Sequence, residues 1–135
     1  MRAMRVLRRT LAAGGLLQLL LAIPLLVVPG WLTETVLGQV DWPGDVWLRL
    51  LGAANVSLAL VHVLILRKLD DLWWWCWALV VFDALTVVIS IAHAIAGVPE
   101  GSAAWPWWVV GAASAAFTVL YVVGLARAGQ ERPIT

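Results

Sequence analysis

The chain has 135 residues, 63% of them hydrophobic and 13% charged, and a mean hydropathy of +0.93. That is room for one domain, but a water-soluble fold this small has no interior large enough for so much apolar surface, so the bilayer is its solvent. A net charge of +1 with no basic stripe argues against nucleic acid as a partner, and Cys76, the one cysteine, rules out an intrachain disulfide or a cysteine-rich zinc site.

Met1 to Thr10 carries Arg2, Arg5, Arg8 and Arg9 without an acid, and an apolar run over 11–28 follows, broken only by Gln18 and holding Pro24. A basic start before an apolar run also suits a signal peptide. The run ends Val-Val-Pro-Gly-Trp, however, with no Ala-x-Ala-like cleavage pattern, so a retained first span is expected. Gly14, Gln18 and Ala22, four residues apart, mark its inward face. The connector over 29–45 is punctuated by Pro29, Gly30, Gly38, Pro43 and Gly44 and carries Glu34, Asp41 and Asp45 with no basic residue. A short surface helix over 31–37 is expected within it.

The second span, over 46–66, holds Arg49, Gly52, Asn55, Ser57, Ala59 and His62. The polar turn Arg67, Lys68, Asp70 and Asp71 is so short that it predicts an antiparallel hairpin with the third span, over 72–96. That third span opens Leu-Trp-Trp-Trp-Cys-Trp and carries one acid, Asp83, near its middle. An ionised carboxylate there costs at least about 2.5 kcal/mol unless it faces protein or water. A turn with Pro99 and Glu100 leads to the fourth span, over 105–126, which contains the small-residue run Gly111 to Ala116.

The predicted fold is an all-α membrane protein, a four-transmembrane-helix bundle. Eight of the nine basic residues flank the start of the first span, the turn between the second and third, and the tail. The positive-inside rule therefore makes both termini cytoplasmic. Heavy use of Arg over Lys, with abundant Ala, Gly, Val, Leu and Trp, points to a GC-rich bacterial genome and hence to a bacterial plasma (inner) membrane. The tryptophans divide between the two boundaries, six toward one face and Trp73, Trp74, Trp75 and Trp77 toward the other, as an interfacial belt does.

Asp83, Asn55 and His62 form the expected intramembrane polar centre. His62 follows Asn55 by two helical turns, so Gly52, Asn55, Ala59 and His62 share a stripe of small and polar groups. Helical Cβ atoms lean toward the N-terminus, which tilts Asp83 and His62 toward each other when the second and third spans are antiparallel neighbours. Two readings of Asp83 stand side by side. One is a proton, ion or substrate site with His62 as a relay partner. The other is a register-setting hydrogen bond to Asn55, Ser57 or a backbone group. Arg49 leans toward the surface and snorkels as an anchor, with Ser90 at similar depth as a contact.

His62 and His93 lie about 20 Å apart in depth by helix rise, too far to share one haem within a chain. Neither gains a third nitrogen or thiolate ligand for zinc. No cofactor, metal or catalytic residue is therefore expected. There is no phosphate-binding glycine loop, metalloprotease helix or nucleophile elbow.

The basic N-terminus, the second span opening Arg49-Leu-Leu-Gly52 and the polar hairpin before the third span resemble small bacterial four-helix membrane proteins of the DoxX-like kind. The resemblance implies a small inner-membrane subunit and no catalytic residue. The functional expectation is an accessory or interaction subunit in the lipid bilayer, packed against a second copy or a larger membrane protein. Proton- or ion-coupled transport through Asp83 is the first alternative, and lipid or quinone handling the second.

Overall fold

The computed structural model describes residues 2–40 and 44–131, and Trp42, one of the expected belt tryptophans, lies outside them. The elements are α1 (Arg2–Val27), a π-helical turn (Trp31–Val36), α2 (Asp45–Arg67), the single turn α3 (Leu69–Leu72), a 3₁₀ turn (Trp73–Trp75), α4 (Cys76–Ala96) and α5 (Trp105–Glu131). Among the described residues there is no strand. Four segments are long and apolar enough to cross a membrane: Met4–Val27, Asp45–Arg67, Leu69–Ala96 and Trp105–Gln130.

The helices outrun the apolar runs that predict them. Residues 2–10 contain no glycine or proline and are rich in arginine, a good helix former, so α1 starts well before the hydrocarbon begins. Trp105 and Pro106 open α5, where proline's missing N–H costs nothing. Gly97 ends α4 at φ +99°, a backbone state that a side chain would resist. The third span is not one continuous α-helix from Leu72. Its first turns are α3 and the 3₁₀ turn, and a three-residue repeat sets Trp73 and Cys76 on one line, both buried, while Trp74 and Trp75 face outward.

Helix α1 packs along α2, α4 packs along α5, and the two pairs join through α1 against α5. The order around the bundle is thus α2, α1, α5, α4. Without water as the alternative solvent, helices are held by close packing and hydrogen bonds, and small residues permit the closest approach. Glycine supplies it at each packed seam. A Cβ on Gly52 would stand 2.9 Å from Leu26 Cγ across the α1–α2 seam, one on Gly111 3.3 Å from Ile91 Cγ1 across α4–α5, and one on Gly124 3.0 Å from Leu7 Cδ1 across α1–α5. Helices α2 and α4 do not pack along one another, so the ring is open on that side. The short turn expected between the second and third spans is one residue, Lys68, and along their length α2 and α4 then make little backbone contact. Leu69 to Trp75 carries the third span through two turns before α4 begins.

The two ends of the bundle are closed differently. Where α1 begins and α5 ends, Leu7, Leu11, Ile65, Trp73, Cys76 and Leu125 form a packed apolar cluster. At the other end the connector folds over the bundle and is latched to the α4–α5 turn. Gln39 Nε2 donates to Ala103 O at 2.7 Å and to Leu37 O at 2.9 Å, and Gln39 Oε1 accepts from Trp107 Nε1 at 3.3 Å. The Ala103 amide donates to Gly38 O at 2.8 Å, and the Val40 amide to Ser102 Oγ at 3.0 Å. Leu25, Leu32 and Leu48 pack beneath this latch. Most of each span's outer surface carries exposed leucine, valine and isoleucine, as a lipid-facing surface does.

Candidate functional site

Between the four helices lies a cavity of about 550 Å³, within the range of small-molecule sites. The packed cluster lies at one end of it and the Gln39 latch at the other. Its walls come from both unpacked helices, through Leu51, Ala54 and Leu58 on α2 and Phe82, Thr86 and Ile89 on α4. Leu51, Phe82 and Ile89 are exposed, as are Leu21 on α1 and Val109 and Val110 on α5. Helices α2 and α4, which do not pack along one another, thus face each other across the cavity.

The walls are apolar except for a group of polar side chains at mid-depth. Tyr121, on α5, is fully buried and no described residue gives its hydroxyl a hydrogen-bond partner; Gln18 Oε1, on α1, is in the same position. Each such group is costly in an apolar interior unless something completes it. His62, on α2, is buried with Nδ1 2.7 Å from Leu58 O. A carbonyl only accepts, so Nδ1 carries the hydrogen, and Nε2 is the ring nitrogen left without a described hydrogen-bond partner. Asp83, on α4, is buried against the cavity and makes no hydrogen bond or ion pair with a described residue.

Gly14 makes the convergence of His62 and Tyr121 possible. A Cβ there would stand 2.8 Å from both His62 Nε2 and Tyr121 Oη. The absence of a side chain at this one position lets an α2 imidazole and an α5 phenol meet beside α1. Their rings lie 6.3 Å apart, centre to centre.

The structure places the sequence-derived candidates as follows. Asp83, Asn55, His62, Gln18 and Ser90 all line the cavity. They share it without bonding to one another. Asn55 Nδ2 donates back to Leu51 O at 2.8 Å, and Ser57 faces outward with its hydroxyl on Ala53 O at 3.1 Å. Neither reaches Asp83, so the register-setting hydrogen bond expected of that acid is not formed, because α2 and α4 stand on opposite sides of the opening. For the same reason His62 and Asp83 are not in contact as a relay pair. Arg49 donates to Leu26 O at 2.8 Å, filling a carbonyl that the last turn of α1 leaves free, and Ser90 packs against Gly111 instead of meeting it. His93 packs tilted against Trp107, ring centres 4.3 Å apart and planes at 57°. Among the described residues no three of His, Cys, Asp and Glu gather as a metal set.

Sequence reasoning missed Tyr121 and Gln39. Tyr121 follows Ser114 by seven residues and so shares its helix face, a polar pairing visible in the fourth span beneath its small-residue run. Gln39 gave no signal of the latch, since the partners that make it, Ala103 and Trp107, lie more than sixty residues away. Trp73 and Trp107 were read as belt residues. Trp73 is instead core and Trp107 part of the latch, whereas Trp31, Trp47, Trp74, Trp75, Trp77, Trp105 and Trp108 are exposed near the span ends. In comparison with known proteins, no family model, curated protein or solved structure matches the chain.

Proposed function

We propose that this is a bacterial inner-membrane protein, with both termini in the cytoplasm, that binds one lipophilic molecule in the cavity among its four helices. Entry is from the bilayer, between α2 and α4. The observation that carries this reading is the pair of buried polar atoms, Tyr121 Oη and Gln18 Oε1, left without a described partner beside an otherwise apolar cavity. This is the lipid- or quinone-handling role among the expected ones. The accessory-subunit role rests on short loops and on the absence of an enzymatic constellation in the sequence, and gives the cavity no purpose. Ion or proton passage needs a route to both aqueous faces, and the packed cluster and the latch lie across the two ends. The DoxX-like assignment rests on layout, and names no ligand.

The test is native mass spectrometry of the protein released from mild detergent, wild type beside Ala113→Phe. Ala113 lines the wall formed by α5, and a phenyl ring there occupies the cavity. The wild type is expected to carry a single adduct of lipid-like mass that the variant lacks. Identical adduct patterns in the two proteins overturn the reading.

A further inference from the structure

The shape of the cavity says more about its occupant than its polar groups do. Its lining on α2 runs from Leu48 to His62 and on α5 from Pro106 to Tyr121, fourteen and fifteen residue steps, or about 21 Å by helix rise. The wall is continuous. On α2 it is carried by Leu48, Leu51, Asn55, Leu58 and His62, three or four residues apart and so on one face of the helix. A round cavity of about 550 Å³ would be only about 10 Å across, so this one is a slot lying along the bundle axis. Spread over that length, the volume leaves a mean section of about 26 Å² and a width of about 5 Å. That is near the roughly 4.8 Å at which extended chains lie side by side, and about half the diameter of a helix. The slot also has two unlike ends. Toward the latch its wall is aliphatic, with Leu25, Leu32 and Leu48, and the polar groups there, Thr33 and Gln39, are bonded to Pro29 O, Leu37 O and Ala103 O. Toward the packed cluster lie Gln18, His62 and Asp83.

We infer, resting on the cavity reading, that the occupant is a single extended hydrocarbon chain lying parallel to the helices, its polar end beside Gln18 and Asp83 and its tail beneath the latch. An extended polypeptide advances about 3.6 Å over three bonds, and at that rate the slot takes a chain of about sixteen to eighteen carbons. Two chains side by side need about twice the width, and a rigid fused-ring system is a plate broader than one chain. In lipid a methylene gains little by leaving one apolar phase for another, so hydrophobicity does not choose the tail. Empty space does. A chain too short leaves part of the slot unfilled, and the cost of an apolar void grows with its volume.

The experiment is equilibrium competition for the protein in phosphatidylcholine nanodiscs, with radiolabelled hexadecan-1-ol as tracer and empty discs as the blank. Decan-1-ol, hexadecan-1-ol, docosan-1-ol and cholestan-3β-ol compete with it, so that one hydroxyl head is common to all. Hexadecan-1-ol is expected to bind saturably, one per protein, and at least about tenfold more tightly than decan-1-ol or cholestanol, the penalty of space left empty or overfilled. Docosan-1-ol gains nothing further, because carbons beyond the slot stay in lipid. Ala113→Phe, which blocks the slot partway along, is expected to abolish the advantage of hexadecan-1-ol over decan-1-ol. Helix content and melting establish that this variant folds, and the wild-type series stands without it. A diazirine at the far end of hexadecan-1-ol is expected to label Leu32 or Leu37, and label confined to the level of Gln18 and His62 overturns the orientation. Decan-1-ol or cholestanol binding as tightly as hexadecan-1-ol overturns the single-chain inference and leaves the cavity reading intact, as does a further tenfold gain at docosan-1-ol or an undiminished chain preference in Ala113→Phe. No saturable binding of any of the four overturns the cavity reading itself.

Discussion

The end of the bundle where α1 begins and the zone at mid-depth are built from the same four helices, yet one is solid and the other hollow. At the solid end Leu7, Leu11, Ile65, Trp73 and Leu125 fill the space between helices that have no direct seam. A few turns further in, His62, Gln18 and Asp83 take their place along the wall of the cavity. In lipid, apolar surface gains little from leaving the solvent, so helices converge only where shapes fit or polar groups bond across. The hollow zone has neither between α2 and α4. The difference teaches that this chain holds its cavity open by withholding contacts at one seam while tightening the other three with glycine.

That contrast can be broken in graded ways. The largest effect is expected from Gly52→Leu, which forces a side chain into atoms already 2.9–3.2 Å from the Cβ position, one of them the Ala22 backbone carbonyl. A loss of about 3 kcal/mol, near the top of the overpacking range, should appear as a sharp fall in melting temperature in detergent. Next comes a matched pair. Leu11→Ala removes a fully buried side chain from the solid end and should cost about 2 kcal/mol, whereas Leu51→Ala, at the exposed lip of the cavity, should cost close to nothing. Equal losses would erase the distinction between solid end and hollow.

Gln39→Ala unties the latch and removes its hydrogen bonds to Leu37, Ala103 and Trp107, for about 1–2 kcal/mol. Hydrogen exchange at the Ala103 amide should quicken with it. The smallest effect on stability is expected from Asp83→Asn. A carboxylate that sets register would destabilise the bundle when replaced, but an unpartnered acid held for a ligand should leave melting unchanged or raised, since an ionised group at this depth costs at least about 2.5 kcal/mol. A clear drop in melting would favour the structural role.

Much of this architecture was legible beforehand, and the reasons are local. Each span is a run of about twenty apolar residues, and the spacing of Gly14, Gln18 and Ala22, or of Asn55 and His62, gives a face by helix geometry alone. The order of the helices was not legible. A short turn at Arg67 to Asp71 implies neighbours, and nothing local reveals that α2 and α4 make little backbone contact along their length. The site was half legible for the same reason. Asp83, His62, Asn55 and Gln18 announce themselves as polar residues in apolar runs. Tyr121 reads as an ordinary aromatic until Gly14, more than a hundred positions earlier in the chain, is seen to make room for it.

The most direct test of the central claim is methyl-labelled NMR of the protein in nanodiscs, reading which methyl groups lie near lipid or ligand chains and which lie near each other. The Ala113 methyl sits on the far wall of the cavity and Leu58 on its α2 side. Contacts from acyl-chain protons to both, together with no run of methyl contacts between α2 and α4, are the predicted result. A continuous set of α2–α4 methyl contacts, with Ala113 shielded from every chain outside the protein, would contradict the account.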